Sequence, residues 1–233
     1  MRRLLLLTLA SLGLAAAATI VIAEQNSMVN ERQMRRTLRL AFPSTSGDWQ
    51  SRLVPDATMA TCSEWGNQPP KEVADIIKKR EARRIVLPKD GTFIGDWRRG
   101  EAIAQSGYGL RFTDTDTKRP HGGNCYACHE LSPTEVSFGT LGVSLKGFGL
   151  THKFQPESAR LVYEKIYNSQ AIVACSTMPR FGTNGILTVE QIKDLVAYLM
   201  DPASPVNKAP EIPSGKAATR SGSQPPPRLQ PGK

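Results

Sequence analysis

The chain has 233 residues, 39% of them hydrophobic but only 6% aromatic, and a formal charge of +9, which bounds it to one domain with a modest core between its termini. Removing Arg2 and Arg3 with a leader would lower the charge to +7, and residues 208–233 carry +4 of that, with five Lys/Arg against one Glu. The remaining body is only mildly basic, which suits acidic protein partners, and no motif points to nucleic acid.

Residues 1–23 read as a secretory signal peptide: Met-Arg-Arg, an apolar run over 4–18, and Val21-Ile22-Ala23 before the polar Glu24. The run is nearly long enough to span a bilayer. The small-residue site ending at Ala23 favours cleavage over a permanent anchor, so export is expected, with no stable membrane span. Residues 24–60 form a basic arm with Arg32, Arg35, Arg36 and Arg39, in which a helix is expected over 29–40.

Pro69-Pro70 opens a helix with Val73, Ile76 and Ile77 on one face, ended by Pro88 and a turn at Lys89-Asp90-Gly91. A further helix is expected over 95–106, with Trp97, Ile103 and Ala104, followed by a loop to Gly122-Gly123. Another spans 156–168, with Leu161, Val162 and Ile166 on one face. The last begins at Thr188, where Gln191 three residues on completes a capping box. Ile192, Leu195, Val196 and Leu199 follow at helical spacing before Asp201-Pro202 stops it. The proline-rich segment 208–233 cannot bury a core and is expected to be disordered. No strand alternation or internal repeat is visible, so the fold class is all-α with long loops.

Cys125-Tyr126-Ala127-Cys128-His129 is the attachment pattern for a c-type haem. Two residues between the cysteines let both thiols reach the vinyl groups of one porphyrin, and the next residue projects beneath the iron. A buried porphyrin would also supply apolar volume that a chain poor in aromatics lacks. A thioredoxin-like pair would need a βαβ setting, and a zinc site would need two more ligands at paired spacing. A plain disulfide between Cys125 and Cys128 would leave His129 unexplained.

For the second axial position the leading candidate is Met178, a soft thioether in Thr177-Met178-Pro179, where the proline stiffens the loop. His152 is the rival, whereas His121 lies too close before Cys125 to reach the opposite haem face with ease. Cys62 and Cys175 remain, an even number in an oxidising compartment, and a disulfide between them would brace the Met178 loop. A reactive thiol or thiolate ligand is the alternative.

Several stretches together resemble the sulfur-oxidation cytochrome SoxX. They are Asp90-Gly91 with Gly95-Asp96-Trp97, the run 100–107, Gly123 to His129, Tyr163 to Asn168, Cys175 with Met178-Pro179-Arg180-Phe181-Gly182, and Asp201-Pro202 to Val206-Asn207. The similarity covers about residues 61–207 and implies a class I cytochrome c-like domain with one covalent haem c on Cys125 and Cys128, ligated by His129 and Met178. It further implies a periplasmic heterodimer with the SoxA cytochrome, acting on the carrier SoxYZ. There thiosulfate is joined oxidatively to a carrier cysteine, and this subunit relays the electrons to a downstream acceptor cytochrome without being catalytic alone. A free-standing electron shuttle is the alternative. The arm before Thr61 and the tail after Asn207 depart from the family pattern.

Overall fold

A computed structural model describes residues 32–34, 36–41 and 54–208, apart from 112, 117 and 134. The leader over 1–23, most of the basic arm and the tail beyond 208 lie outside the described residues, as do the expectations placed on them. Residues 32–34 and 36–41 are helical, within and just beyond the helix expected over 29–40. No strand occurs among the described residues. No helix among them is long and apolar enough to cross a membrane.

Seven α-helices follow in the described body: α1 Ala57–Glu64, α2 Lys71–Ala82, α3 Trp97–Gln105, α4 Phe148–Thr151, α5 Pro156–Tyr167, α6 Ser169–Ile172 and α7 Val189–Met200. Their ends follow local chemistry. Asp56 accepts from the Met59 amide at 2.9 Å, Asp96 accepts from Arg98 at 2.8 Å, and Thr188 and Gln191 form the reciprocal capping box. Helix α1 was not legible as a helix because it has no apolar stripe, and it begins inside the segment read as arm.

The core sits where α3 lies against α7. Ala104 on α3 and Ile192 and Val196 on α7 are fully buried, and Gly100 lets the helices touch, since a Cβ there would collide with the Asp194 carbonyl. Asp194 ties the crossing together by taking both Arg99 donors at 2.8 Å and the Asp96 amide at 2.8 Å. Helix α5 buries Val162, Tyr163, Ile166 and Tyr167, whereas Leu161 is half exposed. The buried stripe is shifted to the side of Val162 and Ile166 that carries the two tyrosines, away from Leu161. On α2, Ile77 is buried but Ile76 is exposed, and the position one turn after Ile77 is taken by Glu81, which is wholly buried.

Glu81 is the centre of a second, polar core joined to a small apolar one of Cys62, Ile77 and Cys175. It accepts from Thr58 on α1, from Asn168 Nδ2 at 2.8 Å, and from Arg84 and Arg180 at 3.2 Å each. Burial alone would raise its carboxyl. The hydrogen bonds from Asn168 and Thr58 and the charges of Arg84 and Arg180 outweigh burial and hold it below the ordinary glutamate value of 4.5. Folding thus favours the charged form. The stabilisation is complete above that ordinary value and is lost as the pH falls through the lower folded-state value. The urea midpoint of the wild type should therefore fall more steeply below about pH 4.5 than that of Glu81→Gln. Parallel slopes would contradict this.

Candidate haem-binding site

The Cys125–His129 segment is pinned to the end of α3. The amides of Gly122, Gly123 and Asn124 donate to the carbonyls of Tyr108, Ile103 and Ser106 at 2.9, 2.8 and 2.9 Å. A Cβ at Gly122 would collide with the Ser106 carbonyl. Asn124 takes the left-handed conformation, at φ 48°, and turns the chain into the 3-10 turn Cys125–Ala127. That turn closes with the Cys128 and His129 amides donating to the Cys125 carbonyl at 3.1 and 2.9 Å. Tyr126 points into the core, its hydroxyl 2.5 Å from that of Tyr198 on α7.

Cys125 and Cys128 are not bonded to each other or to another cysteine. Cys125 packs against the main core, and burial pushes its thiol up to about 12, so it sits as a neutral SH in apolar surroundings. His129 has its Nδ1 2.7 Å from the Val143 carbonyl. A carbonyl only accepts, so Nδ1 carries a proton and Nε2 is the nitrogen left to ligate. The loop supplying that carbonyl is fixed to the motif by Gly139 donating to Tyr126 at 2.8 Å, Gly142 to Cys128 at 2.7 Å and Leu145 to Glu130 at 2.8 Å. Gly142 leaves room for the imidazole, which a Cβ would overlap.

Met178 is partly buried against the same core cluster as Cys125. Its carbonyl accepts from Ser169 Oγ at 2.5 Å, and its amide donates to Ser176 Oγ at 3.3 Å. Cys175, three residues earlier, is disulfide-bonded to Cys62 on α1 with Cα atoms 5.4 Å apart. Two residues later, the buried Arg180 donates to Asp56 at 2.8 Å and to Glu81 at 3.2 Å. Phe181 then enters the core, and the Gly182 and Thr183 amides donate to the Tyr167 carbonyl at 3.0 and 3.1 Å.

The other histidines are engaged elsewhere. His152 is exposed at the end of α4, stacked on Phe148 with ring centroids 4.1 Å apart. His121 places Nδ1 3.2 Å from the Ile186 carbonyl. No cluster of three or more His, Cys, Asp or Glu suited to a metal ion occurs among the described residues.

A covalently held haem fits this donor set: two unpaired thiols at CxxC spacing, one in apolar surroundings, an imidazole oriented through Nδ1 so that Nε2 is left to ligate, and a thioether on the same core as Cys125. Residues 112–201 match the cytochrome c family model. The chain carries a cytochrome c domain. The helical, strand-free body fits the class I form of that fold, and the domain implies one covalently bound haem c and electron transfer as its work. The chain is also 44% identical over 139 residues to a protein of Aquifex aeolicus (strain VF5) described as an uncharacterized lipoprotein. That alignment takes in 59% of this chain and 64% of the relative, so the chain spans less than two thirds of the relative's length.

Sequence reasoning missed the supports around these side chains: the Val143 carbonyl behind His129, Ser169 behind Met178, and the Glu81 and Asp56 carboxylates behind Arg180. Only Arg180 had a signal, its place within the Met-Pro-Arg-Phe-Gly stretch. Gly142→Ala should displace the His129 ring and lower the holoprotein's unfolding free energy by about 1–3 kcal/mol, measured by guanidinium titration. An unchanged midpoint and visible spectrum would contradict the close packing.

Proposed function

We propose that this chain is a periplasmic mono-haem electron relay, the SoxX-type subunit of a SoxAX complex. Cys125 and Cys128 would form the thioethers to one haem c, with His129 and Met178 filling the axial positions. The observation that carries the reading is Met178, held on the same core as Cys125 by a loop tied on both sides. The bound group supplies a one-electron Fe(III)/Fe(II) couple. His129 contributes a neutral imidazole oriented by Val143, and the Met178 thioether favours a raised potential. With His129 and Met178 both ligating, the iron would offer thiosulfate no place to coordinate, and the chain's competence would be outer-sphere electron transfer.

In the complex, the carrier cysteine of SoxYZ would lose its S–H proton as its sulfur bonds to the sulfane sulfur of thiosulfate, releasing one proton and two electrons. This chain would pass them singly to a downstream acceptor cytochrome. Support for the SoxX type comes from the Met-Pro-Arg-Phe-Gly stretch, each of whose last three residues has a definite packing role: Arg180 in the Glu81 cluster, Phe181 in the core and Gly182 against the Tyr167 ring. The loop behind His129 exposes Val136, Leu141 and Val143, at 98%, 76% and 74%, an apolar surface on which the SoxA cytochrome could exclude water. The leader read over residues 1–23 and the relative's description as a lipoprotein support export. The haem domain would span 61–207, between the arm and the tail.

Met178→Ala should leave the haem attached but abolish the far-red sulfur-to-iron band of the oxidised protein and lower its potential. Persistence of the band would assign another sulfur ligand, and its absence from the oxidised wild type would assign His152 in place of Met178. Purification from the native periplasm should yield a stoichiometric second cytochrome, and the complex, but not this chain alone, should modify the SoxYZ cysteine in thiosulfate. A stable monomer with no partner would favour the free-standing shuttle.

A further inference from the structure

We infer that residues 54–82, which precede the matched cytochrome c domain, are a clamp on the Met178 loop, with Glu81 as the positioning residue at its centre. The inference rests on reading Met178 as an axial ligand. The loop over 173–183 has no regular structure of its own, so its shape is set by what grips it. One grip is covalent, from Cys62 on α1 to Cys175. The other is ionic: Arg180 is buried between Glu81 at the end of α2 and Asp56 at the start of α1.

Glu81 reaches Met178 by two routes. Through Oε2 it holds the Arg180 guanidinium at 3.2 Å, two residues beyond the thioether. Through Asn168, which donates to the Glu81 carboxylate at 2.8 Å and to its carbonyl at 3.1 Å, it fixes the start of α6. The next residue there, Ser169, is fully buried and bonds the Met178 carbonyl at 2.5 Å. A buried carboxylate is a poor way to add net stability, because desolvating the charges offsets their attraction, whereas several directed bonds to one carboxylate fix relative positions. Glu81 does the latter: Thr58, Asn168, Arg84 and Arg180 converge on its side chain from α1, the α5–α6 junction, the turn after α2 and the Met178 loop.

Cyanide reports the looseness of the loop, since it binds the oxidised holoprotein only when the sixth position opens. With haem attachment and far-UV circular dichroism unchanged, Glu81→Gln should bind cyanide on the order of 100-fold faster than wild type and lose amplitude in the far-red band. Arg180→Lys, which keeps the charge but not the planar fork, should act in the same direction and decides the matter if Glu81→Gln yields no holoprotein. Met178→Ala is the reference for an open site. If Met178→Ala binds cyanide fast while the clamp variants keep the wild-type rate and band, the clamp is overturned and the ligation stands. If Met178→Ala binds as slowly as wild type, the ligation reading itself fails and the clamp with it.

Discussion

A thioether brings no charge to an iron centre, so a methionine ligand depends on the protein to hold its sulfur in place. Here Met178 sits in an irregular loop, and the structure around it is arranged to restrain that loop. The disulfide fixes Cys175, a buried guanidinium–carboxylate cluster fixes Arg180, and Ser169 and Tyr167 bind the intervening and following backbone. The α3–α7 crossing at Gly100 provides the other half, because the attachment turn hangs from the end of α3 and Tyr126 anchors it on α7. The two halves meet at the core that both Cys125 and Met178 touch.

Features written in local patterns were legible in the sequence. The capping box at Thr188, the apolar spacing of α7 and the Cys125–His129 pentapeptide each specify their structure within a dozen residues. Among features that depend on distant partners, the Cys62–Cys175 bridge was legible from the even number of remaining cysteines, but the polar and packing partners were not. Glu81 looks like a surface residue of a charged helix until Arg180, 99 positions away, arrives beside it. Ile76 and Leu161 fit helical faces by spacing but are exposed, because spacing gives a stripe without saying which edge of it the neighbours cover. Helix α1 is set by the Asp56 cap and the Cys62 bridge rather than by hydrophobic period.

The division of labour follows from this arrangement. The segment over 112–201 carries the pentapeptide, Met178 and α7, and suffices by pattern for a cytochrome c domain. Helices α1 and α2 before it carry neither His129 nor Met178, and their one cysteine, Cys62, is taken by the disulfide. They supply Cys62, Asp56, Thr58 and Glu81, all of which act on the neighbourhood of Met178. An electron relay gains from such bracing, since a centre whose ligands keep their places in both oxidation states pays little reorganisation on each transfer.

The central claim is that Met178 is held at the sixth position in the folded protein. One-dimensional proton NMR of the reduced holoprotein tests it most directly, because the ring current of a porphyrin moves the methyl of a bound methionine far upfield of every other resonance. The account predicts one such three-proton signal, present in the wild type and absent from Met178→Ala. A reduced wild-type spectrum with no far-upfield methyl would contradict it.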